Sequence, residues 1–276
     1  MENPQLLTLE QTQSVYLELL EEFDKLCQAH GLRYDLCGGS MLGAVRHRGF
    51  IPWDNDIDLS MPRPDYERLL RLQREGKLGL PAHRQVVSER DHTFPRHFSR
   101  YVRHDGKRVS EMAEDWDCPY IGIDIFPLDG IPTDEKAFAR QIKRIQRLRR
   151  FLLTSVEKKG TSRRGRAAAM IKNLYRPILR LIGSYRLAHM LDWQCRRVDY
   201  ETAEYVGIIS GMYGLKERWR KDEMLPQARF EFEHLQVWGF ANYDIYLRNL
   251  YGDYMKLPPE EKRVPHCDAA CRVETE

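Results

Sequence analysis

Three carboxylates stand at alternate positions in this chain, Asp54, Asp56 and Asp58, separated by Asn55 and Ile57. In an extended strand alternate side chains share a face, so Asp56 and Asp58 are predicted to project together. Side-by-side carboxylates repel, and a hard divalent cation shared with a substrate phosphate is the usual reason to keep them adjacent. Upstream, after a short apolar run, comes Gly38-Gly39-Ser40. Glycine lets backbone approach a ligand closely, and a serine hydroxyl beside open N–H groups can hold phosphate oxygens. Each feature alone is common: Gly-Gly-Ser is most often a plain turn, and Asp-x-Asp is most often a solvated loop. Apolar run, Gly-Gly-Ser, short helical segment and Asp-Ile-Asp-Leu in that order is far narrower. It points to phosphoryl transfer on Mg²⁺ or Mn²⁺, where positioning and charge neutralisation do most of the work.

A third carboxylate comes from residues 120–126. Ile121, Ile123 and Ile125 alternate with Gly122, Asp124 and Phe126, which places Asp124 on the face opposite the isoleucines. An acid in such a strand is costly to bury unless paired or metal-bound; the competing reading is a solvated edge strand. Asp56, Asp58 and Asp124 are therefore the expected catalytic and metal-binding set, with Asp124 as ligand or as proton acceptor. Asp54, assigned to a loop, is a weaker ligand and is grouped with the substrate-binding residues. Arg46, His47 and Arg48 lie between the glycine turn and the acids, and a guanidinium fork matches phosphate oxygens. For His47 and Arg48 ordinary surface charge competes at least equally. Trp53 is either a stacking platform for a base or sugar or a wedge that holds its loop against the core.

The positioning elements follow from local patterns. Thr8 and Gln11 form a capping box, Val15, Leu19, Phe23 and Leu26 recur at helical spacing, and Gly31 is a natural stop. Residues 32–37 read as a strand. Ser40 is predicted to cap a short helix over 41–47. A loop over 50–55 and a strand over 56–61 follow, and Pro64 suits the first turn of a helix carrying Tyr66, Leu69, Leu70 and Leu72. Further strands are predicted at 85–87, 97–103 and 120–126. A basic amphipathic helix spans 134–156, a polar break covers 158–166, and a second helical stretch over 167–191 is interrupted near Pro177. A last helix covers 243–254, stopped by Leu257-Pro258-Pro259.

Composition describes a soluble globular chain of 276 residues with a net charge of +3. It has no run of about 18 apolar residues that would suggest a membrane span. The start of the chain lacks the basic and apolar pattern of a secretory signal. Six scattered cysteines suit a reducing compartment better than a disulfide scaffold. His266, Cys267 and Cys271 cluster near the end, but no second Cys/His pair faces them, so loose thiols are preferred over structural zinc. The small net charge conceals an asymmetry. Residues 140–197 carry 17 Lys or Arg against only Glu157 and Asp192, a local +15, while the remainder stands at −12. This segregation argues for an anionic partner near the basic segment, although a solvated helical face explains it equally well. Interleaved exposed aromatics and nucleic-acid motifs are lacking, so an anionic membrane is preferred to nucleic acid.

The string GGSMLGAVRHRGFIPWDNDIDLSMPRPDYERLL at 38–70 resembles the LicD family, within the nucleotidyltransferase-fold superfamily. IGIDIFPLDGIP at 121–132 and YDIYLRNLYGDYMKLPPEEKR at 243–263 support the resemblance. It implies an α+β fold: a nucleotidyltransferase-like mixed sheet flanked by helices, with a basic helical insertion and a helical C-terminal part. The expected divisions are a catalytic core over 1–132, a basic helical region over 133–200 and a part over 201–276 that packs on the core, all in one integrated domain. Arg46 stands at the family's matching arginine position. Gly38, Gly39, Ser40, Arg46, His47, Trp53 and Asp54 form the expected substrate site. The resemblance implies transfer of a phosphocholine-like group from a CDP-linked donor to a sugar hydroxyl of a cell-surface glycan or glycolipid, with CMP released. Cysteine usage and the basic segment make the expected location cytoplasmic, with peripheral contact at the inner face of the membrane as the expectation that competes with a solvated helical face. Two other classes compete. A true nucleotidyltransferase would release pyrophosphate; a non-catalytic membrane- or anion-binding module would have no need to keep three carboxylates on facing strands.

Overall fold

The computed structural model describes residues 6–108, 119–157, 166–264 and 270–272. The first helix, α1 (Leu9–His30), starts at a complete capping box between Thr8 and Gln11 and ends at Gly31 in the left-handed conformation. Its inward face, with Tyr16, Leu19, Leu20 and Phe23, is fully buried, and Phe23 packs edge-on against Tyr34 and tilted against Tyr101. Burial of such side chains, at about 1.5–3 kcal/mol each, is what seats the helix.

A short strand β1 (Asp35–Leu36) leads into helix α2 (Gly38–His47), and a loop delivers strand β2 (Asp58–Pro62) and helix α3 (Arg63–Arg74), which has a proline in its first turn. Strands β3 (Arg84–Val87), β4 (Ser99–Arg108) and β5 (Tyr120–Ile131) follow. Three helices come next: α4 (Glu135–Val156), α5 (Arg166–Ile182) and α6 (Ser184–Cys195). The remainder alternates strands β6 (Tyr205–Gly207) and β7 (Trp219–Arg220), helix α7 (Lys221–Met224), hairpin strands β8 (Gln227–Phe232) and β9 (Leu235–Phe240), helix α8 (Tyr243–Tyr251) and strand β10 (Ala270–Arg272).

The sheet runs β10-β4-β5-β2-β1-β9-β8, with β3 on β4 and the β6–β7 pair extending from the far end of β5. β2 and β5 are parallel, as are β1 and β9; the other pairs are antiparallel. This is the mixed sheet flanked by helices expected from the sequence. The main core lies between the sheet, α1, α2, α3 and α8. A second core joins α4, α5 and α6 through Phe138, Ile142, Ile145, Leu179, Leu187 and Leu191, closed by Ile131 of β5 and Ile209.

Several boundaries differ from expectation. β2 begins at Asp58, so Asp56 and Ile57 belong to the preceding loop and the strand argument for Asp56 does not hold. Helix α2 begins at Gly38, and Ser40 lies inside its first turn instead of capping it. The helical break falls at Gly183, which takes φ 91°, while Pro177 is accommodated inside α5. Helix α8 stops at Gly252, ahead of the prolines. The β8–β9 hairpin was not anticipated. His266, Cys267 and most of the polar break at 158–166 lie outside the described residues.

A buried ion-pair network ties the two cores together. Arg63, at the start of α3, donates to both carboxylate oxygens of Asp129 at 2.6 and 2.8 Å and to Asp192 of α6 at 2.9 Å. Arg90 and Arg196 also reach Asp192, each at 3.0 Å, and Arg90 pairs with Glu67. The sheet that carries the acids and the helices beyond it are thus joined through paired buried charges.

Candidate active site

The site gathers where α2 starts. Its first-turn N–H groups have no carbonyl four residues back within the helix, and the helix dipole leaves partial positive charge there. Cys37, the N-cap residue, makes no side-chain capping bond. Gly38 takes φ 54°, a conformation that favours glycine, and donates its N–H to the Tyr246 hydroxyl at 2.9 Å.

Two carboxylates crowd this end. A Cβ on Gly38 would lie 3.4 Å from Oδ2 of Asp58, and one on Gly39 would lie 3.1 Å from Oδ2 of Asp54. Gly39 is therefore what lets Asp54 stand against the helix terminus, while Gly38 is needed for its left-handed backbone and meets Asp58 at ordinary contact distance. Ser40 fixes the strand: its hydroxyl accepts the Asp58 N–H at 2.9 Å, and the Cys37 N–H donates to the Asp58 carbonyl at 3.0 Å. Sequence reasoning gave Ser40 a phosphate role; in the structure it anchors β2 against α2.

Parallel pairing of β2 and β5 sets Asp58 directly beside Asp124, with Leu59 beside Ile125. Neighbouring strands are about 4.8 Å apart, so two in-register carboxylates on one face lie in each other's field. The isoleucines of β5 are buried on the opposite face, and Asp124 is partly open to solvent. Arg100 of β4, opposite Asp124 in register, donates Nε to its Oδ1 at 2.5 Å while its guanidinium lies 4.7 Å over the Phe94 ring. Asp54 is closer to the centre than its loop position suggested. It is buried, its Oδ1 accepts the Asn55 N–H at 3.1 Å, and its carbonyl accepts from Gln13 at 2.8 Å.

The electrostatics record this crowding. Burial, followed by the charge of Asp56 and a hydrogen bond shared with it, pushes Asp54 up to about 8. Asp58 is pushed well above the usual carboxylate range by burial and then by Asp56, Asp124 and Asp54, with Arg100 opposing. Two tyrosines close the same corner: the Tyr213 hydroxyl donates to the Tyr251 hydroxyl at 2.7 Å, and burial with Asp58 nearby pushes Tyr213 up to about 12.

Other predicted residues are placed differently. Arg46 and His47 lie in the last turn of α2, about 12 Å along the axis from Gly38 at 1.5 Å per residue. Arg46 donates to the Tyr254 carbonyl at 2.8 Å and, through Nε, to His47 Nε2 at 2.9 Å; burial, then Arg46, lowers the His47 pKa. Arg48 ends the helix in the left-handed conformation and pairs with Glu231 at 3.7 Å. Trp53 packs against the main core with the Arg263 guanidinium 5.7 Å from its ring, which favours the wedge over the stacking platform. Arg100, Tyr213, Tyr246 and Tyr251 were missed. Tyr246 and Tyr251 do lie in the stretch 243–263 that carried part of the resemblance, whereas Arg100 and Tyr213 have no local signal.

Among the described residues no three His, Cys, Asp or Glu side chains already form a group that would hold a metal ion. The donor set nevertheless suits a hard cation. It offers carboxylate oxygens alone, crowded by like charge, with Asp54 held so close to the helix terminus that a Cβ on Gly39 would press on it.

A helix that begins on two glycines and meets one acid from the next strand and another in register on its parallel neighbour, on a mixed sheet, defines a nucleotidyltransferase-type site. Residues 31–149 match the family model described as LicD/FKTN/FKRP, nucleotidyltransferase domain. The lipopolysaccharide cholinephosphotransferase LicD of Haemophilus influenzae is 30% identical over 279 aligned positions, covering 94% of this chain and 96% of that protein. The ribitol 5-phosphate transferases FKRP of Homo sapiens and Mus musculus are 59% identical over a stretch of 34 residues, which is 12% of this chain and 7% of theirs. The chain belongs to the LicD family, a family of enzymes.

Proposed function

We propose that this protein is a metal-dependent phosphotransferase that moves a phosphocholine-like group from a CDP-linked donor to a sugar hydroxyl of a cell-surface glycan or glycolipid. The observation that carries the reading is the in-register pair Asp58 and Asp124 beside the Gly38-Gly39 helix terminus. The likeness to a lipopolysaccharide cholinephosphotransferase over nearly the whole chain supports phosphocholine as the group. The acceptor hydroxyl attacks the phosphorus that bears choline, the bond from that phosphorus to the bridging oxygen breaks, and CMP leaves.

Asp58 and Asp124, with Asp56, would hold Mg²⁺ or Mn²⁺, which supplies charge neutralisation on the phosphate oxygens. The protein's own groups do the rest. The α2 N-terminus receives donor phosphate oxygens, and Asp124, steadied at Oδ1 by Arg100, accepts the proton of the attacking hydroxyl. The Tyr213–Tyr251 pair borders the carboxylates and limits water at that side.

Among the described residues no helix is long and apolar enough to cross a membrane. We place the enzyme on the cytoplasmic side, with the basic segment 140–197 toward an anionic membrane that carries the acceptor. The test is incubation of the full chain with CDP-choline, Mg²⁺ and a lipopolysaccharide acceptor, followed by mass analysis. Addition of phosphocholine to the acceptor with one CMP per transfer supports the reading. Pyrophosphate release with a nucleotide on the acceptor, from a nucleoside triphosphate, overturns it in favour of nucleotidyl transfer.

A further inference from the structure

Charge explains only part of the surface formed by the basic segment. Among the described residues fourteen large apolar side chains are exposed, and seven of them lie on α5 and α6. On α5, Met170, Leu174, Ile178 and Leu181 are 74%, 83%, 62% and 86% exposed. Their spacing of four, four and three residues puts them on one face of the helix. Leu179 and Arg176, on the other side of the helix, are buried. Helix α5 therefore has an apolar face turned outward as well as one turned to the second core.

Helix α6 adds to it. Met190 and Trp193 are 47% and 52% exposed, Arg186 lies on the same helical face one turn before them, and Arg197 is exposed in the turn just beyond the end of the helix. The Arg197 guanidinium lies 5.1 Å from the Trp193 ring centroid. An amphipathic ring with a cation beside it is the composition found where protein meets lipid headgroups. Between residues 166 and 197 the only acid is Asp192, and it is buried in the ion-pair network with Arg63, Arg90 and Arg196. The outward surface of these two helices is thus apolar and cationic with no acid, complementary to an anionic bilayer and unlike an ordinary solvated face.

We propose that the outward face of α5 and α6 inserts into the interfacial layer of an anionic bilayer, with Leu174, Ile178 and Leu181 among the acyl chains and Arg186 and Arg197 at the phosphates. This rests on the membrane contact proposed above for the basic segment, and changes its nature from adsorption by charge to shallow insertion. The surface is linked to the active site through α4. Gly214 packs against α4, since a Cβ there would lie 2.5 Å from the Gln146 amide nitrogen, and the preceding Tyr213 reaches the Asp58 corner. Docking through the helical region would hold that corner near the membrane surface.

The test is co-flotation of the full chain with phosphatidylcholine vesicles, with and without phosphatidylglycerol. It is done at low ionic strength and at about 1 M salt, where the screening length falls to about 3 Å. The wild type should bind the anionic vesicles, shift its tryptophan emission to the blue in a way that Trp193→Phe removes, and keep part of its binding at high salt. Leu174→Glu with Leu181→Glu should weaken partitioning at least about tenfold. Both leucines are exposed, so circular dichroism and turnover of a soluble acceptor should stay unchanged. If the double variant binds as the wild type does and all binding vanishes at high salt, insertion is refuted while adsorption by charge stands. If the wild type ignores anionic vesicles at low salt, both fail. If it is a dimer in solution that the double substitution splits, the face belongs to a second copy and insertion is refuted.

Discussion

Replacing Asp58 with Asn should remove turnover and strengthen the fold, and the opposite signs of the two effects make the prediction sharp. Asp58 stands in register with Asp124 on a parallel strand and feels Asp56 and Asp54 as well, with the Arg100 cation opposing. That cation is already engaged with Asp124 at 2.5 Å. For in-register carboxylates about 5–6 Å apart at an effective dielectric near 20, the pair repulsion is about 3 kcal/mol. Arg100 offsets part of it and protonation relieves more, so removing the charge from the metal-free protein should stabilise by about 1–2 kcal/mol. Asparagine keeps the backbone N–H bond to Ser40 and the shape of the side chain. Loss of a central carboxylate ligand should lower kcat at least about a thousandfold, or about 4 kcal/mol of transition-state stabilisation. The assays are urea unfolding in EDTA and CMP release with Mg²⁺. With Mg²⁺ added, the wild type should gain stability and the variant should not. A folded Asp58→Asn protein with near-normal turnover refutes the metal assignment; a variant destabilised in EDTA refutes the crowding argument.

Other perturbations test separate links. Arg63→Met leaves Asp129 and Asp192 buried with less compensation, and guanidinium unfolding should show a loss of about 3–5 kcal/mol; a loss below about 1 kcal/mol would mean the network is not cooperative. Gly39→Ala should leave thermal stability nearly unchanged while slowing turnover several-fold, because its Cβ would press on the Asp54 carboxylate at 3.1 Å. Arg100→Met should lower kcat more than it raises KM if Arg100 positions Asp124, and Arg100→Lys should recover little because the Nε bond is lost. Glu217 gives the pH dependence: burial pushes it up to about 7, with the Trp219 indole N–H opposing. The unfolded chain releases this proton near 4.5 and the folded chain near 7, so the folded state binds more protons between those values and wild-type stability should fall as pH rises through that window. Glu217→Gln should flatten that fall and be the more stable protein at pH 8 by about 1–3 kcal/mol in denaturant titrations.

The residues that could be placed from sequence are those whose neighbours lie close along the chain. The capping box at Thr8 and Gln11, the stop at Gly31 and the alternation of Ile121, Ile123 and Ile125 around Asp124 are local, and they fold as their patterns require. Asp56 illustrates the limit. Its spacing from Asp58 suits a strand, but pairing begins only at Asp58, where β5 offers Asp124 as a partner, and Asp56 is left in the loop. Gly183 illustrates another: Pro177 is the stronger helix breaker in isolation, yet the turn between α5 and α6 needs a residue at φ 91°.

The β8–β9 hairpin was invisible for a physical reason that bears on the site. Its turn carries Glu233 and His234 where a tight hairpin favours Asn-Gly or Asp-Gly, and Glu233 adopts φ 56° without being glycine. Tertiary bonds hold it there. The Glu233 N–H donates to the Arg48 carbonyl at 2.7 Å, and its carboxylate accepts the Phe50 N–H at 3.1 Å. Gly49 makes room, since a Cβ there would collide with that carboxylate. The hairpin tip is thereby clamped to the loop between α2 and β2, the loop that delivers Asp54 and Asp56. A turn with poor local propensity is affordable because its energy comes from the loop it braces. The brace acts on the segment of the site with the least strand pairing of its own, so the geometry of Asp54 and Asp56 depends on residues about 180 positions further along the chain.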